Sequence, residues 1–148
     1  MVIMVTASQE DYLRAMYHLW EENLEVARIK HKSTDDIGVK SSEIAQYLDV
    51  SKASVSKMLN ELANKGLIEF ERYRKFKFTR KGKEAAKNII TKHRIIESFL
   101  KNILHIDDAK IHELAHRLEH AFDNECIDKL NKLLHNPSID PHGKPIPK

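Results

Sequence analysis

Six residues in two short stretches have the types and the spacing to hold metal ions. In AKIHELAHRLEHAFDNE, His112, His116, Glu119 and His120 recur at intervals of four, three and one. On an α-helix, residues so spaced share one face, so four nitrogen or oxygen donors line one stripe. Upstream, KHRIIE places His93 and Glu97 four apart, again on one helical face, as a second clamp. Imidazole and carboxylate together suit divalent first-row metals, whereas a structural zinc knot usually calls on thiolates. The single Cys126 makes neither a thiolate cluster nor an internal disulfide. Isolated His and Glu on helices are commonly solvated surface residues. Here several sit among core-type residues, and a buried cluster of this kind needs a cation or mutual pairing to be tolerated.

A second constellation suits nucleic acid. The stretch SKASVSKMLNELANKG carries an apolar stripe of Val55, Met58, Leu59 and Leu62, with Lys52, Ser54, Ser56, Lys57 and Asn60 on the other side and Ser51 as N-cap. Side chains and first-turn amides so arranged fit phosphates and base edges. Between Glu71 and Lys83 the chain gathers Arg72, Arg74, Lys75, Lys77, Arg80, Lys81 and Lys83 against the lone acid Glu71. A concentrated basic run is the electrostatic footprint of a DNA backbone contact. Lys57 and Asn60 suit either a base edge or a phosphate.

The elements that must position these groups follow from periodicity. From Ser8, read as an N-cap, Tyr12, Leu13, Met16, Leu19 and Trp20 mark an amphipathic first helix. Asn23 to Lys40 loses that period and reads as a loop or a short extended piece, with no chemistry assigned to it. Ser41 or Ser42 then caps a short helix bearing Ile44, Ala45 and Leu48, a break follows at Asp49 and Val50, and Gly66 closes the second helix in a left-handed C-cap. Two short helices joined by a tight turn make a helix-turn-helix. LIEFERYRKFKFT alternates like a strand pair with a turn around Arg72 to Lys75, as in the wing of a winged helix. A long helix follows Thr79, Asp107 to Leu134 gives one further helix or a broken pair, and the proline-rich NPSIDPHGKPIPK reads as irregular. The expected architecture is mainly α: a winged helix-turn-helix over residues 1–78, then an all-helical dimerisation and metal-binding domain over 79–148.

Composition sets the outer limits. At 148 residues, with 41% hydrophobic and 32% charged, the chain is long enough for its own core and too short for a large multidomain enzyme. A net charge of +3 hints weakly at a polyanion partner. No apolar run reaches the roughly 18 residues of a membrane span, and no signal peptide is seen, so a cytoplasmic protein without a membrane partner is expected. A metalloenzyme is the rival class, since a cluster of imidazoles and carboxylates can leave a coordination position open. No paired nucleophile and base, glycine-rich phosphate loop or HExxH motif supports it. A winged-helix regulator indifferent to metal, with a structural His cluster, is the other alternative.

Taken together, EDYLRAMYHLWEEN, SSEIAQYLDVSKASVSKMLNELANKGLI, KGKEAAKNIITKHRIIESFL, HELAHRLEH and DPHGKPIPK resemble the diphtheria toxin repressor family of metal-dependent transcription regulators. The resemblance covers most of the chain. It implies a homodimer that binds a palindromic DNA operator and represses metal-uptake genes. It further implies a primary metal site at Asp11, His116, Glu119 and His120, and an ancillary site at His93, Glu97 and His112. Iron-type members have Met and Cys where Asp11 and His116 stand, and manganese-type members have Asp and Glu there, so this chain is a hybrid. Manganese-type members also carry Glu at the position of Arg14. The complete ancillary trio is shared with iron-type members, which tips the expected cofactor slightly toward Fe(II) over Mn(II), with other divalent metals able to substitute in vitro. The Asn23 to Lys40 connection is longer than is usual in the family. The sequence ends where longer members begin an SH3-like domain, so ligands from such a domain are not expected.

Overall fold

The computed structural model describes residues 4–35, 37–70 and 75–148. The chain forms two compact units, residues 1–87 and 88–148.

In the first unit, α1 (Ala7–Ile29), β1 (Val39–Lys40), α2 (Ser41–Leu48), α3 (Lys52–Asn64), β2 (Ile68–Phe70) and β3 (Lys75–Phe78) precede the start of α4 (Arg80–Asn102). Ser8 does not cap α1. Thr6 does, in a reciprocal box: its Oγ1 accepts from the Gln9 amide and its own amide donates to Gln9 Oε1, both at 3.1 Å. Gln9 Oε1 also accepts from Lys65 Nζ at 2.7 Å, which ties the start of α1 to the end of α3. Nor does α1 stop near Asn23. Met16, Trp20, Asn23 and Ala27 continue its inner stripe, and Ala27 is buried. The polar Asn23 hides that continuation, because its amide is used tertiarily, donating to the Gly38 carbonyl at 3.0 Å.

Ser41 and Ser42 lie inside α2, whose N-cap is Lys40. β1 runs straight into the helix, and the Glu43 carboxylate satisfies the Lys40 amide at 2.6 Å in place of a serine hydroxyl. Asp49 ends α2 in the left-handed region, and Ser51 caps α3 by accepting from the Ser54 amide at 3.1 Å. Ser51→Ala is expected to cost about 1 kcal/mol, the usual worth of such a cap, measurable as a lower urea midpoint with unchanged slope.

Ile44, Val55, Leu59, Leu62 and Leu67 are wholly or almost wholly buried, and α1 packs on α2, α3 and β1. The sheet order is β1-β3-β2, all antiparallel, with Ile68 opposite Phe78 and Val39 opposite Phe76. The strand pair predicted for the wing is therefore present, joined by β1, an extended piece at the end of the Asn23 to Lys40 stretch. The turn expected at its tip, with Arg72 and Arg74, lies outside the described residues.

The second unit holds the rest of α4, α5 (Asp108–Glu119), α6 (Asn124–Leu133) and a closed tail. The Asp107 to Leu134 stretch is thus a broken pair. Ile95, Ile96, Leu100, Ile111, Ala115, Ile127 and Ile146 form its core. The proline-rich tail folds into a turn in which Asp140 Oδ1 accepts from the amides of His142 and Lys144 at 2.8 and 2.9 Å. Arg94 Nη1 of α4 donates to the Pro145 carbonyl at 2.6 Å and pins that turn.

Asp123 caps α6 by accepting from the Cys126 amide at 2.8 Å, and that backbone hydrogen bond leads the effects that hold its carboxyl below the ordinary range. A carboxyl with a lowered folded pKa stabilises the fold above its unfolded pKa and ceases to do so as pH falls through the folded one. The stability gap between wild type and Asp123→Ala is therefore expected to be constant at neutral pH and to close below about pH 4, as thermal melts across that range would record. Cys126 is exposed, and the hydrogen bond to Asp123 foremost raises its thiol, the opposite of a redox-primed cysteine.

Candidate metal and nucleic-acid sites

The donor groups that the sequence singled out in the second unit sort into two trios. His116, Glu119 and His120 occupy the last turn and C-cap of α5, with one ligand atom from each within 4.8 Å of the others. Glu119 is only 1% exposed, and the two imidazoles are half-buried with ring centroids 5.4 Å apart. His93, Glu97 and His112 form the other trio, with the same mutual reach. His93 and Glu97 are buried one turn apart on α4, whereas His112 approaches from α5 with an exposed ring, its centroid 4.9 Å from that of His93. The single stripe seen in the sequence is therefore divided, and His112 goes with α4.

His93 links the trios. Its Nε2 lies 2.7 Å from Glu97 Oε1 and its Nδ1 lies 2.6 Å from Glu119 Oε2. Two buried carboxylates thus converge on one imidazole, which satisfies both as a double donor or with one oxygen protonated. Burial alone pushes the Glu97 carboxyl up; the hydrogen bond from His93 and the charges of His93, His142 and His112 outweigh it and hold the group below the ordinary range.

Glu97 Oε2 is buried and makes no hydrogen bond. His142 Nδ1 stands 3.2 Å away, near enough for Coulombic attraction but without the alignment of a hydrogen bond. Glu97, Asp140 and His142 form a further trio with ligand atoms within 4.8 Å. Asp140 and His142 escaped the sequence reading, although the DPH of DPHGKPIP is a carboxylate and an imidazole two apart. An orphaned carboxylate oxygen ringed by imidazole and carboxylate groups is a site that a divalent cation fits. Arg14, buried in α1, offers donors only, so it cannot act as a metal-ligating carboxylate.

In the first unit Asp11 lies half-buried in the second turn of α1. Ser51, Lys52, Ser54, Ser56, Lys57 and Asn60 are all exposed along α3, opposite buried Val55, Leu59 and Leu62. Lys75 stands half-exposed at the start of β3. Lys52 and Ser56 line a groove of about 620 Å³ with Lys40, Ser41 and Ser42 of the preceding segment and Phe70 and Phe76 of the sheet. Among the described residues, no helix is long and apolar enough to cross a membrane.

Comparison with known proteins finds two family models along the chain. Residues 4–76 match a family model described as "Iron dependent repressor, N-terminal DNA binding domain", and residues 79–148 one described as "Iron dependent repressor, metal binding and dimerisation domain". The HTH-type transcriptional regulator MntR of Shouchella clausii is 34% identical over 131 residues, 88% of this chain and 82% of that protein. The iron-dependent repressor IdeR of Mycobacterium tuberculosis is 31% identical over 138 residues, 93% of this chain and 54% of that protein. The structure of the manganese regulator SloR superposes with a TM-score of 0.77 at 31% identity, covering 97% of this chain and 61% of that one. The chain thus spans about six-tenths of the length of that solved structure. These families and relatives are transcriptional regulators, which removes the metalloenzyme reading. With a winged helix-turn-helix, a separate helical unit of convergent imidazoles and carboxylates, and sequence matches over both, the chain belongs to the diphtheria toxin repressor family of metal-dependent transcriptional repressors.

Proposed function

We propose that the chain works as a homodimer that represses metal-uptake genes by binding a palindromic duplex operator when a divalent metal is bound. The reading domain is assigned to residues 1–78 and the dimerisation and metal-binding domain to 79–148. The primary ligands are Asp11, His116, Glu119 and His120; His93, Glu97 and His112 are the ancillary ones. A divalent cation held by these residues would supply the positive charge that carboxylate and imidazole donors compensate. The observation that carries the reading is the donor trio at the end of α5, with Glu119 1% exposed. A buried carboxylate beside two imidazoles is costly to keep for packing alone.

The chain's own residues then have separate tasks. Glu97 and Glu119 orient His93 from either side. Ser51, Lys52, Ser54, Ser56, Lys57 and Asn60 of α3 meet the duplex, with Arg72, Arg74 and Lys75 of the wing on its backbone. Four His among the seven proposed ligands favour Fe(II) over Mn(II), since imidazole suits iron and all-oxygen sets suit manganese.

The test is a gel shift on duplexes selected from a random pool with Mn(II) present, repeated anaerobically with chelator and with Fe(II) or Mn(II) titrated back. Binding restored by either ion, at lower free Fe(II) than Mn(II), is expected. Equal binding in chelator would return the metal-independent regulator.

A further inference from the structure

The long connection after α1 builds a basic cleft that the recognition helix does not explain. Lys30 caps the C-terminus of α1, and His31 turns the chain with φ 51°. Before β1, the Gly38 carbonyl accepts from the Asn23 side chain of α1. Gly38 lies so close to β3 that a Cβ there would meet Lys75 Cβ at 3.0 Å. The result is a cleft of about 260 Å³ lined by Lys30, Lys32, Lys40 and Lys75, with Glu43 as the one acid among its described lining residues.

Three observations point to an anion. The Glu43 carboxylate is already engaged by the Lys40 amide at 2.6 Å, and none of the four lysines forms an ion pair with a described carboxylate. Lys40 and Lys75 stand directly opposite in the β1–β3 ladder. Like charges facing across a ladder repel, so this pairing is unfavourable unless something negative lies over it. Lys40 also lines the groove of Lys52 and Ser56, so the lysines continue the surface of α3.

At about 260 Å³ the cleft is open and lies just below the usual range of small-ligand pockets. Its continuity with the face of α3 favours phosphates belonging to a polymer already lying there. We infer that Lys30, Lys32 and Lys40, beside the wing's Lys75, form a second DNA-backbone contact, receiving phosphates that flank those met by α3. The inference rests on the DNA-binding reading above.

The double variant Lys30→Gln/Lys32→Gln tests it against Lys110→Gln/Lys132→Gln, which removes the same charge from exposed positions of the second unit. Binding to a selected duplex extended to 40 base pairs would be measured with Mn(II) across salt concentrations, after circular dichroism has established folding. Each lost phosphate contact makes the plot of log affinity against log salt shallower by about 0.9. With two lysines removed from each protomer, four per dimer, the cleft variant is expected to be shallower by about 3.6 and at least roughly tenfold weaker at physiological salt, with the control pair unchanged. A slope equal to wild type, or a control equally shallow, would overturn the inference while leaving the repressor reading intact. Calorimetric tripolyphosphate binding that the cleft variant abolishes, with an unchanged DNA slope, would overturn it in favour of a free polyanion. Wild type that selects no duplex with metal would sink both.

Discussion

Asp11→Ala is expected to bind duplex DNA equally with metal and with chelator, at the weak level of chelated wild type. The substitution removes one proposed ligand from α1 and leaves the donors of α4 and α5 in place. A half-buried carboxylate in the second turn of a helix is not a core position, so the fold is expected to survive. What is lost is the free-energy link between metal and operator. Such couplings are typically worth 1–3 kcal/mol, or about 5- to 150-fold in affinity. Linkage is reciprocal, so wild-type protein saturated with operator DNA should take up metal more tightly by the same factor, and the variant should not. Gel shift at saturating Mn(II), with circular dichroism and sedimentation as controls for fold and dimer, decides it. Metal stimulation surviving at the wild-type level would remove Asp11 from the site.

Gly82→Ala is expected to be the most damaging single methyl in the first unit. Gly82 lies in the first turn of α4, where Thr79 ties helix and sheet together. The Thr79 amide donates to the Leu67 carbonyl at 3.1 Å, its hydroxyl donates to the Gly66 carbonyl at 2.7 Å, and that same oxygen accepts from the Gly82 amide at 3.0 Å. This network brings the helix so close to Leu67 that a Cβ at position 82 would lie 1.7 Å from the Leu67 carbonyl oxygen. The clash is with backbone, so no rotamer change relieves it; α4 must move away from Gly66 and Leu67 and lose those hydrogen bonds. Alanine's better helix propensity returns only about 1 kcal/mol. Overpacking of this kind commonly costs 1–3 kcal/mol, and a clash this short belongs at the upper end, so a net loss of about 2 kcal/mol is expected, lowering the melting temperature by roughly 5 °C or more. A melt within a degree or two of wild type would show that α4 shifts freely.

The paired clamps illustrate how much the sequence disclosed. His93 with Glu97, and His116 with Glu119 and His120, were legible because each set sits within two turns of one helix, where the 3.6-residue period alone dictates a shared face. His112 shares the stripe of His116 by that period, yet its ring meets His93 across the helix pair. Asp140 and His142 were invisible for a related cause: they reach Glu97 only because Arg94 holds the tail turn against α4. In the first unit, caps and breaks marked by Ser51, Asp49 and Gly66 were readable, since each acts through its own backbone geometry. The end of α1 was not, because Asn23 looks like a helix breaker until its tertiary partner at Gly38 is known.

By itself, then, the sequence determined the order of the elements, the faces of the helices and the types of donor they carry, since these depend on contacts within a few residues. The tertiary structure alone decided which donors meet, that β1 completes the sheet, and that four lysines from three segments surround one cleft. Periodicity specifies which face of a helix is buried and says nothing of what is packed against it. Convergence of distant residues is settled when whole elements dock, by side-chain volume and hydrogen bonds that no local window contains.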